Sequence, residues 1–345
     1  MNMQKRDNSI DFIKCVLILL VVLGHSIQYC MTQEGAYYFE VPLFVFIYSF
    51  HMQMFAFVSG LFVSKSLSLS FWDVIKKRFA QLIIPSIFWS GVVTNIVWIF
   101  VSEKKRDLNS FLMYFVCSPL AYWFLYSLFL SILCLWTANK IKEKSVFVVL
   151  ISVVLLFVLP VGDLRYVKFI YPFYIAGYYY SLCKNSIDRQ WKLVTVILLV
   201  LYCILIPFWN RTSYFYLCGL EFLYFEKGKI LFNLAILKPC IYRIIVGLAS
   251  SVAFMYILQY VYRKCIVKVP SEMFLYIGRH SMAIYMIHFI ILNVWYRLVD
   301  VTSLMVLKDY YSLYVLSTFF VVVGVTVGLI YLVPSFKHRK LIFGW

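Results

Sequence analysis

The sequence predicts an all-α bundle of about ten membrane-spanning helices, on three observations. Of the 345 residues, 63% are hydrophobic and 14% are charged, and the mean hydropathy is +0.87. A typical soluble domain is about 45–50% apolar and about 25% charged. The apolar residues gather into runs of about 20, the length that an α-helix needs to cross a bilayer. The basic residues lie mainly between these runs, as is typical of a multi-pass membrane protein.

Ten apolar runs meet this description, and we predict a helix in each. In chain order they lie at about residues 10–30, 41–63, 79–101, 117–138, 145–161, 166–183, 191–208, 240–262, 273–296 and 311–334. We treat 1–345 as a single transmembrane domain with one insertion, 209–239, that is either extracytoplasmic or re-entrant. The insertion contains two fairly apolar stretches, YFYLCGLEFLYF and ILFNLAIL, and the termini would fall on opposite sides of the membrane if one of them spanned.

The distribution of lysine and arginine predicts the orientation. If the N-terminus is cytoplasmic, about 18 of these residues fall in inner segments and about 11 in outer segments. An excess of basic residues marks the cytoplasmic side, so both termini are predicted to lie inside, in agreement with an even number of spans. The first run is too long for the core of a signal peptide and has no small-residue cleavage site, so we expect it to remain as the first span.

Charge and cysteine content exclude two other classes of protein. The net charge of +17 comes mainly from residues that flank the spans, so it indicates contact with the lipid bilayer and no nucleic-acid partner. The nine cysteines contain no C-x-x-C pair, and several lie inside predicted spans. They fit small apolar packing residues better than a disulfide framework or a metal site, and we expect no metal.

Three ionisable residues lie inside the first predicted span. Asp11 and Lys14 are one helical turn apart near its cytoplasmic end, within reach of an ion pair. His25 follows Lys14 by eleven residues. This is about three turns, so both side chains share one face of the helix about 16 Å apart along its axis. Ionisable residues within a membrane span are functional candidates by default, so all three are candidate site residues.

The pattern D-x-x-K, ten residues and then H, in an apolar run that ends VVLGHS, resembles the first helix of membrane acyltransferase family 3. The members of this family are integral-membrane O-acyltransferases that modify surface glycans. Most of them have arginine where this chain has Lys14. The lysine keeps the positive charge but lacks the planar guanidinium that binds an anion with two hydrogen bonds.

A second segment, SFHMQMFAFVSGLF, is similar to the family signature F-H-M-P-L-F-F-x-x-S-G. It contains His51 and Ser59, which the resemblance makes candidates for lining the same cavity as His25. Gln53 replaces the proline of the signature, so the kink that a proline would introduce is not expected from this residue. Ser59 and Gly60 are also typical of close helix packing.

The segment that follows, with Arg78 before QLIIPSIFW, resembles a family pattern of two arginines three residues apart and then a proline. Arg78 and Pro85 match this pattern, and Gln81 replaces the second arginine. Together with Lys14, Arg78 predicts a basic mouth for the phosphates of an acyl-coenzyme A. Trp123, in YWFLYSLF, matches a W-F-L element of the family and also falls where interfacial aromatic residues are common.

The third signature lies in YIGRHSMAIYMIHFI, where Ser281, Tyr285 and His288 follow one another at spacings of four and three. These spacings place the three side chains on one helical face. His288 has about the same depth in an outward-running helix as His25. Tyr285 is suited to donate a hydrogen bond to a developing oxyanion.

The resemblance implies a reaction as well as a fold. An acyl group, most often acetyl, passes from acyl-coenzyme A to a hydroxyl of a surface polysaccharide or a lipid-linked glycan at the cell membrane. His25 is implied as the general base that takes the proton of the hydroxyl, although a covalent acyl-histidine is chemically possible too. Asp11 is implied to fix the position of Lys14. We see none of the additional extracytoplasmic hydrolase-like domain of some members, so we expect the acceptor to meet the membrane site directly.

Two other classes share some of these features. A glycan or lipid transporter or flippase would also have buried polar residues and a basic mouth, but we find no inverted repeat and no paired Gly/Pro-broken spans. Glycan polymerases are aromatic-rich multi-pass proteins that depend on arginines in a large outer loop, and the segment 209–239 contains only Arg211.

Overall fold

The computed structural model describes residues 7–31, 36–96, 109, 112, 117–217, 221–226, 229–266, 272–298, 311–332 and 342–344. Most of these residues are helical, as the long apolar runs predict. The helices are α1 (Asn8–Met31), α2 (Pro42–Tyr48), α3 (His51–Gly60), α4 (Ser64–Leu67), α5 (Phe71–Ile96), α6 (Ser118–Ala121), α7 (Trp123–Ile141), α8 (Val146–Val158), α9 (Tyr166–Asp188), α10 (Trp191–Leu205), α11 (Leu237–Val261), α12 (Glu272–Arg279), α13 (Ser281–Leu298) and α14 (Tyr311–Leu332). Two strands, β1 (Leu223–Glu226) and β2 (Lys229–Phe232), form an antiparallel hairpin with Leu223 opposite Phe232.

A helix occupies each of the ten predicted runs, and the all-α membrane fold is confirmed. Among the described residues, seven helices are long and apolar enough to cross a bilayer, or eight if the bent pair α12–α13 is one span. The count of ten is therefore not confirmed. The helix α8 has 13 residues, fewer than the roughly 17 that a span needs. The helix α9 has 23 residues but mixes tyrosines and charged residues with its apolar ones. The orientation with both termini inside stays a prediction.

Two predicted spans are interrupted. The run 41–63 is divided into α2 and α3, although the two helices together are long enough to span. The run 273–296 is divided at His280 into α12 and α13, which are bent by 79°, so one continuous helix over 273–296 is wrong. A close tertiary contact lies next to this bend. Gly278 in α12 lies so close to α1 that an added Cβ would be 1.8 Å from the carbonyl oxygen of Asp11.

The helix α1 lies at the centre of the bundle. It packs against α3, α11, α12, α13 and α14, and many of its apolar side chains are fully buried, among them Ile13, Leu17 and Ile18. Each such side chain contributes about 1.5–3 kcal/mol when it is removed from water. The central position also places the polar residues of α1 in the interior of the protein, where they meet residues from several other helices.

Small residues of α3 and α9 also bring two helix backbones into close contact. A Cβ added to Gly60 would lie 2.0 Å from the carbonyl oxygen of Tyr174, and a Cβ added to Gly177 would lie 2.0 Å from the carbonyl oxygen of Phe57. Helices in membranes use such small residues to bring their backbones into contact. Gly60 therefore serves close packing, as its position in the sequence suggests.

The described part of the insertion 209–239 folds across the end of α1 and α2. Its first turn, Arg211–Ser213, is followed by Tyr214, whose hydroxyl donates to the carbonyl oxygen of Phe39 at 3.0 Å. Arg211 forms an ion pair with Glu40 at 2.8 Å. The hairpin follows, and among the described residues of the insertion no helix is long enough to span. Its location on the outer face stays a prediction.

Candidate active site

Three helices bring the predicted histidines into one region of the bundle. His25 lies on α1, His51 at the start of α3 and His288 on α13. The ring centroids of His25 and His288 are 5.4 Å apart. Within the described residues, no group of three or more His, Cys, Asp or Glu side chains is placed to hold a metal ion.

Two of these histidines face a cavity of about 250 Å³, which we call the histidine chamber. The chamber is lined by His25, Gln28, Tyr48, His51, Met52, Trp123, Tyr166, Phe215, Tyr216 and Tyr285. Most of its wall is aromatic, and its polar groups are imidazoles, hydroxyls and one amide. His288 is not among the lining residues, since it is buried behind His25.

The hydrogen bonds of the rings decide which nitrogen atoms can act as bases. His51 Nδ1 donates to the carbonyl oxygen of Ile47 at 2.6 Å, and His288 Nδ1 donates to that of Ile284 at 2.8 Å. A neutral imidazole that donates through Nδ1 keeps its lone pair on Nε2. In the described part of the chain, the buried atoms His288 Nε2 and His25 Nδ1 have no hydrogen-bond partner. The paired rings of His25 and His288 therefore retain hydrogen-bonding capacity.

The aromatic wall of the histidine chamber comes partly from the loop at 209–217. The ring of Phe215 lies 4.7 Å from that of Trp123, centroid to centroid, and Tyr166 lies 5.4 Å from Trp123. The Tyr216 hydroxyl is buried and has no hydrogen-bond partner among the described residues. Burial raises the pKa of Tyr216 above its usual range, so its hydroxyl stays protonated and can donate a hydrogen bond.

A second cavity, of about 390 Å³, carries positive charge, and we call it the basic cavity. It is lined by Lys14, Ile18, Met52, Phe55, Ser59, Phe62, Arg78, Gln81, Leu82, Phe124, Leu125, Leu128, Ile132, Tyr174, Ser281, Met282, Tyr285 and Gly344. Both cationic side chains of this wall belong to the predicted site. Two of its serines, Ser59 and Ser281, were predicted as well.

The two cationic side chains of the basic cavity, Arg78 and Lys14, contact identified neighbours. Arg78 Nη2 donates to Ser66 Oγ at 2.6 Å, and Arg78 Nη1 donates to Gln81 Oε1 at 3.1 Å. Arg78 Nε is buried and has no partner among the described residues. Lys14 Nζ lies 5.7 Å from the centroid of the Phe62 ring. The guanidinium is thus oriented by two neutral side chains, so its positive charge is available to an anion in the cavity.

The histidine chamber and the basic cavity share two lining residues, Met52 and Tyr285. Tyr285 lies on α13, and its ring packs beside those of Tyr122 and Phe124 at centroid distances of 5.8 and 6.1 Å. These contacts fix a phenol at the boundary between a cationic space and an imidazole-lined space. The two cavities therefore adjoin each other at Tyr285 and Met52.

The model of one protein family, described as an acyltransferase domain, matches residues 7–333 of this chain. The chain belongs to acyltransferase family 3. The match covers the helices α1 to α14 and every lining residue of the two cavities except Gly344, so the resemblance to this family is confirmed.

Two relatives were found, and both are named nodulation protein NolL. The protein from Mesorhizobium japonicum is 27% identical over 218 residues, and the protein from Sinorhizobium fredii is 28% identical over 221 residues. Each match covers 61% of this chain, and it covers 58% and 60% of the two relatives. The chain thus spans about three fifths of the length of these relatives. No solved structure matches it significantly.

The structure groups most motif residues of the acyltransferase family around the two cavities. His25, His51, Trp123 and Tyr285 line the histidine chamber, while Lys14, Arg78, Ser59, Ser281 and again Tyr285 line the basic cavity. His288 contacts the ring of His25 from behind. The eleven-residue spacing on α1 therefore has a structural meaning, because it places one residue in each cavity.

Asp11 lies apart from both cavities. Its Oδ2 accepts from Arg279 Nε at 3.4 Å, and its side chain is 3% exposed. The backbone of Asp11 is also covered by Gly278, so this part of α1 is held against α12. Arg279 was not expected as a partner, because residues 268 positions apart give no sign in the sequence that they meet. The predicted catalytic part of Asp11 stays a prediction.

Several lining residues were not found from the sequence. Tyr48, Tyr166, Phe215 and Tyr216 line the histidine chamber, and Gln81 orients Arg78. The chain contains 28 tyrosines and 32 phenylalanines, so an individual aromatic residue carries no recognisable signal. For Gln81, its place in the arginine pattern was a signal, but the substitution suggested a lost contact rather than a hydrogen bond to Arg78.

Proposed function

We propose that this protein is a membrane O-acyltransferase that moves an acyl group, most simply acetyl, from acyl-coenzyme A to a hydroxyl of a surface polysaccharide or lipid-linked glycan. The observation that supports it is the shared boundary of the two cavities at Tyr285 and Met52. One cavity offers cations for a phosphorylated donor, and the other offers imidazoles for a hydroxyl acceptor. Family membership supports the reaction class.

The donor is assigned to the basic cavity. Acyl-coenzyme A carries several phosphates on one end and its thioester at the end of a long flexible arm. Lys14 and Arg78 would hold the phosphates, because charge-assisted hydrogen bonds from guanidinium and ammonium groups are the strong ones. The arm would pass Ser59 and Ser281 and bring the thioester to Tyr285. A volume of about 390 Å³ lies within the usual range for a small-molecule site, roughly 300–1,000 Å³.

The acceptor is assigned to the histidine chamber. A sugar presents apolar C–H faces and hydroxyl edges, and tyrosine and tryptophan rings offer an apolar face with a polar tip. Trp123, Tyr166 and Phe215 would pack against the sugar, and the protonated Tyr216 hydroxyl would donate to one of its oxygens. Such a wall fits a neutral glycan better than it fits an ion.

In the proposed chemical step, His25 is the general base. The acceptor hydroxyl oxygen attacks the thioester carbonyl carbon, and its proton passes to a ring nitrogen of His25. Tyr285 donates a hydrogen bond to the oxyanion that forms on the carbonyl. When the C–S bond breaks, the coenzyme A thiolate takes the proton from the imidazolium, and the ester remains on the acceptor. His288 would orient the His25 ring, which it faces at 5.4 Å.

The test is acyl transfer by purified full-length protein in lipid nanodiscs, with radiolabelled acetyl-coenzyme A and extracted surface glycan. We expect label in the glycan and free coenzyme A in equal amounts. His25→Ala should abolish the transfer while the protein still inserts and stays monodisperse. His280→Ala is the matched control, since His280 lines neither cavity.

The same assay separates the alternatives. Label that remains on the protein when no glycan is present, and is absent from His25→Ala, would indicate an acyl-histidine intermediate in place of direct transfer. Full transfer by His25→Ala would overturn the assignment of the base. If no label is transferred but the glycan crosses the bilayer of reconstituted vesicles, the protein is a transporter and the proposal fails.

A further inference from the structure

A third cavity, of about 370 Å³, lies away from the acyltransferase site between α8, α9 and α11. Its walls are mainly aliphatic and aromatic, including Val154, Phe157 and Ile244, and they include two cationic residues, Lys168 and Arg243. We call it the lateral cavity. Val154 and Ile241, which line it, are 61% and 56% exposed on the outside of the bundle. In a membrane such apolar residues face lipid, so the cavity borders the bilayer.

Arg243 is the unusual group in this cavity. Only 2% of it is exposed, and it is the largest fully buried side chain of the described chain. Its Nη2 lies 3.0 Å from Cys240 Sγ, a weak acceptor, while Nε and Nη1 have no hydrogen-bond partner among the described residues. A buried guanidinium stays charged, and burying it without an anion is costly. The buried guanidinium of Arg243 therefore lacks an anionic partner among the described residues.

The carboxylate of Glu221 does not supply the missing anion of Arg243. Glu221 Oε2 pairs with Lys168 Nζ at 3.1 Å, and Lys168 also donates to the carbonyl oxygen of Phe157 at 3.2 Å. No ion pair joins Glu221 to Arg243 in the described structure. The pair formed by Lys168 and Glu221 is neutral, so Arg243 leaves one positive charge in the wall. The Phe169 ring, 5.5 Å from the guanidinium, compensates that charge only in part.

We propose that the lateral cavity binds one anionic lipid, with the lipid phosphate on Arg243 and an acyl chain along the aliphatic walls. Arg243 has two donor groups without a partner among the described residues, Nε and Nη1, which can bind separate oxygens of one anionic headgroup, and guanidinium is the side chain best suited to phosphate. The aliphatic walls and the open lateral side exclude a hydrophilic anion as the main ligand, because most of the buried surface would gain nothing from it.

The lateral cavity is also distinct from the acyltransferase site. Phe169 lines the lateral cavity and stacks on Phe215 at 4.6 Å, and Phe215 lines the histidine chamber. This pair of rings forms a wall between the two spaces. The bound lipid would therefore lie beside the chamber without entering it, and its binding can be measured with no acyl donor or acceptor present.

The test is native mass spectrometry of the full-length protein in detergent, titrated with phosphatidylglycerol, phosphatidylcholine or inorganic phosphate. We expect one tightly retained phosphatidylglycerol and at least ten-fold weaker binding of the other two. Arg243→Gln should weaken phosphatidylglycerol at least ten-fold. Lys238→Gln is the matched control, since it removes an exposed charge from the same helix, and it should change that affinity less than three-fold.

A second variant keeps the test decisive if Arg243→Gln does not fold. Ile241→Trp leaves the charge in place and fills the lateral opening at an exposed position, so it should also weaken phosphatidylglycerol at least ten-fold. Equal retention of phosphatidylcholine would overturn the proposal, and so would undiminished phosphatidylglycerol binding by either folded variant. Inorganic phosphate that competes as well as the lipid would show a soluble-anion site instead and would equally overturn it.

Discussion

The basic cavity and the histidine chamber lie side by side and share Met52 and Tyr285, yet their walls differ in kind. The basic cavity is lined by two permanent cations, Lys14 and Arg78, and Arg78 donates to the neutral side chains of Ser66 and Gln81. The histidine chamber contains no lysine or arginine among its lining residues, and its polar groups are imidazoles, hydroxyls and an amide. The basic cavity contains fixed positive charge, and the histidine chamber contains groups that can accept or donate a proton.

In the function proposed above, the two cavities take two unlike substrates. A polyphosphate needs fixed positive charge, and the attack of a neutral hydroxyl needs a base that is itself uncharged at the start. A cation placed beside His25 would oppose its protonation. Separating the two groups along α1, with Tyr285 at the boundary, satisfies both requirements. Variants that affect one cavity and leave the other intact test this division.

The largest effect is expected for the base. His25→Ala should lower kcat by about 10²–10⁴-fold, the usual contribution of general acid–base catalysis. Binding of acyl-coenzyme A, measured by calorimetry, should change less than three-fold, because His25 does not line the basic cavity. The control His280→Ala should keep wild-type kcat. A large loss of acyl-coenzyme A binding in His25→Ala would contradict the assignment of donor binding to the basic cavity alone.

The second-largest effect is expected for Tyr285, which lies at the boundary between the two cavities. Tyr285→Phe removes one hydroxyl and keeps the ring contacts with Tyr122 and Phe124. We expect kcat to fall about 10²-fold, the lower end of what a lost oxyanion donor produces, with little change in the KM of either substrate. Tyr122→Phe removes a hydroxyl that donates to the carbonyl oxygen of Met286 and serves as the control. Equal effects of both variants on kcat would indicate a packing role for Tyr285.

A smaller effect, and on a different parameter, is expected in the basic cavity. Arg78→Gln should raise the KM for acyl-coenzyme A about ten-fold to a hundred-fold, since a hydrogen bond to a charged group contributes about 1.5–3 kcal/mol. The kcat at saturating donor should fall less than five-fold. Arg211→Gln, which removes an exposed arginine outside both cavities, should leave KM unchanged. A drop in kcat alone would place Arg78 in the chemical step instead.

The smallest effect on activity is expected for Asp11, which lines neither cavity. Asp11→Asn weakens the ion pair with Arg279 and should lower the melting temperature, while kcat and KM stay within three-fold of wild type. A buried pair that loses one charge is destabilised by up to about 3–5 kcal/mol, and this one is partly exposed at Arg279. A hundred-fold loss of kcat with unchanged stability would restore the catalytic part predicted for Asp11.

The comparison also shows where reading the sequence succeeded and where it could not. The spacing of Lys14 and His25 placed them on one face of α1, and the spacing of Ser281 and Tyr285 placed them on one face of α13. In each case periodicity within one helix was enough. The pairing of His25 with His288, the hydrogen bond from Arg78 to Gln81 and the ion pair of Asp11 all join groups whose geometry depends on packing.

The break at His280 and the lining by Tyr216 were missed for related reasons. Hydropathy averages over a window, so it cannot show that Gly278 brings α12 against α1 and that α13 then turns by 79°. The chain has many aromatic residues, and Tyr216 lines the histidine chamber only because of how the loop at 209–217 folds. Arg243 was overlooked as well, because a single arginine in an apolar run does not show whether it meets a carboxylate, water or an empty cavity.

By itself the sequence determined that this chain is a helical membrane protein, which family it resembles and that a few ionisable residues, His25 among them, lie within its apolar runs. Composition and helical periodicity suffice for the membrane fold, because a bilayer leaves the backbone few choices. The family follows from the resemblance of three motifs, and an ionisable residue within a span is a functional candidate by default. Only the tertiary structure decided that Lys14 and His25 face two different cavities with Tyr285 between them. Side chains from α1, α2, α3, α5, α7, α9, α13 and the loop at 209–217 contribute to those walls. Contacts between such distant segments arise from packing that no local pattern encodes.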